Sequence, residues 1–293
     1  MYLTGLADEA AQMIDGQIIA TKELGWKYIE SRNISGSNII DISDADFDLV
    51  CEKLDAASIK INCFGSAIAN WAKQITDPHE TSFEEIRKAL PRMQKLGTTL
   101  IRIMSYAVLE NRAPDNQMEN ERFKKLREIK KIFDDAGIVA VHENCMNYGG
   151  MGWIYTLRLV ENVPGLRLVF DTGNPVFIDD RNKPQPWPKQ SSWDFYKNVK
   201  EHISYVHIKD GIWHENEKYC EYTFPGEGNG DVLKIVKDML NDGYDGGFSI
   251  EPHMAVTFHD ASKVASEKTM SENYIRYGRK FEQLLKKAKQ LNA

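Results

Sequence analysis

The chain has 293 residues, 42% of them hydrophobic and 27% charged, with a formal net charge of −6. That is enough apolar side chain for one large α/β core. The acidic balance, with a pI near 5.7, leaves no electrostatic footprint for nucleic acid or an anionic membrane. No run approaches the length of a membrane-spanning helix, and the acidic start from Met1 to Glu9 does not look like a leader peptide. The cysteines Cys51, Cys63, Cys145 and Cys220 show no CxxC spacing, so neither a zinc knuckle nor a disulfide framework is expected and a reduced, cytoplasmic setting fits best.

Taken in order, Leu3 to Leu6 is a short apolar strand, followed by a helix-like segment to about Leu24 that Gly25 ends. Trp26 to Glu30 is the second strand, with Glu30 and Arg32 at its far end. Ser43 is placed to cap a helix from Asp44 to about Ala56, whose Phe47, Val50 and Leu54 share one face. Ile59 to Phe64 and Leu100 to Met104 are strands three and four, separated by a helix from Phe83 to Leu96. The spacing of Phe123, Leu126, Ile129 and Phe133 predicts the next helix, closed by Gly137.

Ile138 to His142 is strand five, followed by a helix near Ile154 to Val163, and Leu166 to Phe170 is strand six. A proline-punctuated loop then leads to a helix near Trp193 to Val199 and to strand seven, Ile203 to Ile208. Beyond it, a second long loop carries Gly226-Glu227-Gly228-Asn229-Gly230, with Asp231 placed to cap a helix from Val232 to Leu240. The loop lacks the lysine of a phosphate-binding loop. Gly246 to Ile250 is strand eight, and an insertion-like segment precedes a last helix near Glu272 to Leu291. Eight strand–helix units with no linker predict a single α/β domain over 1–293, a closed (β/α)8 TIM barrel in preference to an open doubly wound sheet.

Such a barrel gathers its chemistry at the C-terminal strand ends. Four of those ends carry Glu143, Asp171, His207 and Glu251. Alternation along each strand lets all four face the axis, with Lys209 and His253 one step further up and His142 pointing out to the helices. Three carboxylates this close repel one another and resist burial, and a divalent cation resolves that. The oxygen-rich set suits manganese or magnesium, and the histidine also admits zinc, cobalt or iron.

At these same positions the sequence resembles the sugar phosphate isomerase/epimerase family of the xylose isomerase-like barrel superfamily. The resemblance runs through Gly5-Leu6-Ala7-Asp8-Glu9, Val141-His142-Glu143-Asn144, Phe170-Asp171-Thr172-Gly173-Asn174, Val206-His207-Ile208-Lys209-Asp210, Gly226-Glu227-Gly228 and Ser249-Ile250-Glu251-Pro252-His253. It implies one divalent metal on Glu143, Asp171, His207 and Glu251, with Glu143 and Glu251 also exchanging protons with a small sugar, keto-sugar or sugar phosphate through an enediolate. Keto-sugar epimerases of the family usually carry a histidine where Asn174 stands and an arginine where Trp213 stands. Asn174 and Trp213 at those two places, Lys209 as a source of the missing positive charge and Arg32 as a further cation are the expected substrate-binding residues. Lys209 resembles the inosose dehydratase branch, where the same enediolate expels a hydroxyl, and a salt bridge to Asp210 or Glu251 is the alternative reading for it.

Two other functions are weighed. Abasic-site endonucleases share this barrel but need further histidines on strands three and four, where this chain offers Ser66, Asn70, Ser105 and Tyr106. A barrel that binds sugar without turnover gains little from two proton-transfer glutamates. Trp71, Trp153, Trp187 and Trp213 lie in or near loops where an indole could stack on a sugar ring, and the segment from Arg181 to Lys189 reads as a lid or a contact in a homo-oligomer.

Overall fold

The computed structural model describes residues 1–257 and 260–291, and the side chains of 1–255 and 265–291. Eight parallel strands form the centre: β1 (Tyr2–Gly5), β2 (Tyr28–Ser31), β3 (Lys60–Gly65), β4 (Leu100–Ile103), β5 (Val139–Glu143), β6 (Arg167–Asp171), β7 (Ile203–Ile208) and β8 (Gly247–Ile250). Their order is β1-β8-β7-β6-β5-β4-β3-β2. A parallel bridge between Leu6 and Glu30 joins the two ends of that order, so the sheet closes on itself as a (β/α)8 TIM barrel.

Eight helices alternate with the strands: α1 (Ile14–Glu23), α2 (Asp44–Ala57), α3 (Glu80–Leu96), α4 (Glu119–Asp135), α5 (Trp153–Asn162), α6 (Ser192–Val199), α7 (Val232–Asn241) and α8 (Glu267–Gln290). Helix α2 starts where Ser43 accepts a hydrogen bond from the Asp46 amide at 3.1 Å, which satisfies one of the orphan donors of the first turn. Helix α3 ends at Gly97, whose φ of 66° is open to glycine at little cost. In α4, Phe123, Leu126, Ile129 and Phe133 are all buried against the barrel. Each such side chain contributes roughly 1.5–3 kcal/mol of burial free energy.

Inside the barrel, below the strand ends, a small apolar layer of Cys63, Val141, Val169 and Tyr205 is sealed from the helix-facing core. Val141 faces inward and His142 outward, where its Nε2 lies 2.9 Å from the Ser105 hydroxyl. Burial pushes the His142 imidazole down to about 4, so it is neutral and structural.

Three expectations need correction. The last helix begins at Glu267, capped by Ser266, five residues earlier than its apolar periodicity suggested; residues 258–259 of the preceding insertion lie outside the described residues. The long loop after β7 contains an antiparallel hairpin, Gly211–His214 paired with Tyr219–Tyr222. Asp231 does not cap α7: its backbone is left-handed and its side chain makes no capping bond.

The glycine-rich loop has a different task. Its amides at Gly226, Gly228 and Gly230, with that of Gly211, donate to the Asp210 carboxylate at 2.8–3.1 Å. A Cβ on Gly228 would lie 2.4 Å from Asp210 Oδ1, so the cradle closes only because the loop lacks side chains there. Replacing Asp210 by Ala leaves these amides without their acceptor. Denaturant titration is expected to show a loss of about 2–4 kcal/mol, given that a hydrogen bond to a charged group is worth roughly 1.5–3 kcal/mol.

Candidate metal centre

At the C-terminal ends of β5 to β8, Glu143, Asp171, His207 and Glu251 each direct one ligand atom to a common point, and the four atoms lie within 4.8 Å of one another. The register explains part of the convergence. Asp171 and His207 are paired across β6 and β7, Glu143 sits beside Val169, two residues below Asp171, and Glu251 directly follows β8. All four are at most 3% exposed.

Each ligand is held by a neighbour. Arg102 Nη1 stands 3.0 Å from Glu143 Oε2, and Asn174 Nδ2 donates to Oε1 at 3.1 Å. Asp171 Oδ1 accepts from the Gly173 and Asn174 amides at 2.8 and 2.6 Å. Glu251 takes Arg32 Nη1 on Oε1 and Lys209 Nζ on Oε2, both at 2.8 Å. His207 Nε2 lies 3.0 Å from a Glu30 carboxylate oxygen, which turns Nδ1 toward the two glutamates, 3.8 Å from Glu143 and 3.7 Å from Glu251. At those distances Nδ1 makes no hydrogen bond.

The electrostatics show a site short of positive charge. Burial and the other two carboxylates push Asp171 up to about 7, against the pull of Lys209. Burial opposes ionisation of Glu143 as well, but Arg102 and His207 hold it down at about 2. Burial likewise works against the charge on His207, yet Glu30 and Glu143 lift it to about 10. Glu251 overcomes burial through Lys209, His253 and Arg32 and stays well below the usual carboxylate range.

A divalent cation fits these residues. His207 Nδ1, Glu143 Oε2 and Asp171 Oδ2 are buried and have no hydrogen-bond partner; the last two are within ion-pair distance of Arg102 and Lys209 but outside hydrogen-bonding geometry. Three carboxylates and one imidazole nitrogen suit manganese, magnesium, zinc or cobalt. The Glu30–His207 contact is of the kind that would orient the imidazole toward such an ion. Glu30→Gln is therefore expected to lower metal affinity about 10–100-fold, measured by titration calorimetry with manganese.

Sequence reasoning placed Lys209 a step above the ligands. In the structure its ammonium lies among them, 3.0 Å from Asp171 and 2.8 Å from Glu251. Gly173 makes room for it, since a Cβ there would meet Lys209 Cγ at 2.6 Å. Arg32 joins Glu251 to Asp8 and Glu9. Arg32, Lys209 and Asn174 line a cavity of about 280 Å³ together with Glu143 and Glu251. Trp213 stands apart, on the hairpin and in the wall of a different cavity.

Glu30, Arg102, Asp8 and Glu9 are part of the site but were not singled out as such from the sequence. Arg102 was visible as a lone charge inside an apolar strand, and Glu30 as a carboxylate at a strand end. Neither carries a signal of its partner. Among the described residues, no helix is long and apolar enough to cross a membrane.

A protein-family model described as "Xylose isomerase-like TIM barrel" matches residues 18–277. No curated protein matches the sequence. Among solved structures, a D-tagatose 3-epimerase-like protein is similar at 16% identity and a TM-score of 0.72, with 100% of each chain covered. A xylose isomerase-like TIM barrel protein from Mycobacterium smegmatis, in complex with magnesium, is similar at 14% identity and a TM-score of 0.68, covering 97% of each chain. The probable 3-DHS dehydratase AsbF from Bacillus anthracis is similar at 14% identity and a TM-score of 0.66, covering 93% of this chain and 97% of that one. At these identities the three likenesses speak to the fold.

Proposed function

Because the chain belongs to the xylose isomerase-like TIM barrel family, we propose that it is a divalent-metal-dependent isomerase or epimerase of a small sugar, keto-sugar or sugar phosphate. The observation that carries this reading is the four-residue ligand set with its unpartnered His207 Nδ1, opening into a cavity lined by the two glutamates. Magnesium in the similar mycobacterial protein supports the choice of a hard divalent ion.

A divalent ion held by Glu143, Asp171, His207 and Glu251 would supply Lewis-acid stabilisation of the negative charge that develops as a proton leaves the carbon beside a sugar carbonyl. The protein's own groups do the rest. Glu251 and Glu143 both line the cavity beside His207; with one taking a proton from the sugar carbon and the other returning one the outcome is epimerisation, and with a single glutamate doing both it is isomerisation. Arg32 and Lys209 keep Glu251 ionised and fixed, and Arg102 with Asn174 does the same for Glu143.

Elimination of water from a keto-sugar or inosose is the second reading, and Lys209 favours it. Its ammonium lines the cavity and can protonate a departing hydroxyl while Glu251 holds it in place. Proton NMR in D2O with a panel of ketoses, sugar phosphates and inosose separates the outcomes. Solvent deuterium gained with all oxygens retained marks isomerase or epimerase, and loss of water marks dehydratase. Full activity after exhaustive removal of metal would sink both.

A further inference from the structure

The residues lining the cavity above the ligands include two contrasting sets. One is charged: Arg32, Arg102 and Lys209, with Glu143 and Glu251. The other is neutral and comes from the loops after β2 and β3. It holds Asn33 and Asn38, paired across a short hairpin, with Asn70 and Trp71. Asn38 is fixed by a bond from Nδ2 to the Gly65 carbonyl at 3.1 Å and by the Ile40 amide on Oδ1 at 3.3 Å. Asn70 Oδ1 accepts from the Ala72 amide at 3.2 Å. Side-chain amides both donate and accept, as sugar hydroxyls do, and an indole adds an apolar face beside them.

The cations among the described lining residues are all engaged. Arg32 places its three nitrogens on Asp8, Glu9 and Glu251 at 2.8–3.3 Å. Arg102 is held by Glu143 at 3.0 Å and by the Ser66 carbonyl at 3.1 Å, and Lys209 by Asp171 and Glu251. With Glu30 behind His207, six buried carboxylates stand around these three cations. A divalent ion on the ligand set, with His253 beside Glu9 counted as charged, would bring the positive charge only to parity. A phosphate monoester carries a charge of about −1.5 to −2 near neutrality, and it would enter this site without a counter-charge.

The backbone offers no substitute after β7. Barrels of this kind frequently bind phosphate with the loops that follow the seventh and eighth strands. Here the amides of Gly211, Gly226, Gly228 and Gly230 all go to Asp210, so the chain's own carboxylate already fills the anion position of that loop. The cavity, at about 280 Å³, is at the lower end for small-molecule sites and suits a single ring.

We propose that the substrate is an uncharged sugar or cyclitol of one ring, not a phosphate ester, and that Asn33, Asn70 and Trp71 read its hydroxyls away from the reacting carbon. This inference rests on the reading of the metal centre as a sugar site.

Titration calorimetry on magnesium-loaded protein tests it, with D-fructose, D-tagatose and an inosose as neutral probes and the 6-phosphates of fructose and tagatose as charged ones. At least one neutral probe is expected to bind at least about 10-fold tighter than either phosphate. Asn70→Ala and Trp71→Ala should each weaken that probe about 2–10-fold and leave magnesium affinity unchanged. Asn70→Lys, which adds a cation to the neutral wall, should narrow the gap to the phosphates. A 6-phosphate that binds within about 10-fold of the best neutral probe, or no measurable binding of any neutral probe, overturns the inference. Undiminished binding in both alanine variants overturns the recognition assigned to that wall. Failure here is separable from failure of the proposed function: Glu251-dependent deuterium exchange into a sugar phosphate would uphold that function and overturn the uncharged substrate, whereas the binding preference would stand without any exchange.

Discussion

Glu251→Gln is expected to lower kcat by about 10²–10⁴-fold, the usual contribution of a positioned general acid or base, with the fold unchanged by circular dichroism. The amide is nearly isosteric and can still accept from Arg32, but it has no basic oxygen to take a proton. It also removes one of the charges that holds Lys209. Metal content measured on the same preparation separates the two consequences. A variant that retains its metal and loses exchange places Glu251 in the proton transfer, whereas one that retains both leaves Glu251 without that role.

Exhaustive chelation should have an effect of similar size. Charge stabilisation by a metal ion is worth several kcal/mol, so turnover is expected to fall by at least about a thousand-fold and to return on adding manganese, magnesium or cobalt. His207→Ala should prevent that return, because it removes the nitrogen whose Nδ1 has no partner in the protein. Activity that persists through chelation and dialysis would exclude a metal-dependent mechanism.

The barrel and the convergence of Glu143, Asp171, His207 and Glu251 were legible in the sequence because both rest on local, repeating signals. Strands of alternating or continuous apolar residues, glycines at helix ends and a polar residue at each strand end need no knowledge of distant contacts. The supports of the site were not legible for the opposite reason. Glu30 reaches His207 between two strands that are not hydrogen-bonded neighbours, and 177 residues separate the pair. Arg32 meets Glu251 only after the barrel closes, at a separation of 219 residues.

The hairpin carrying Trp213 escaped notice for a local reason. Its turn, Glu215 to Lys218, contains no glycine, and Lys218 itself takes the left-handed conformation with φ of 53°. Asp231 misled in the other direction. An acidic residue ahead of an amphipathic run reads as a helix cap, but the loop before it is committed to Asp210.

Lys209 bears on the order of events by which the protein matures. A chain emerging from synthesis must bury Glu143, Asp171 and Glu251 whether or not a suitable ion is at hand. With an ammonium already between Asp171 and Glu251, and Arg102 and Arg32 on the outer sides, those carboxylates can go under cover with cations the chain brings itself. On the proposed reading, folding would then not wait for the ion, and a metal would be taken up by a barrel already closed.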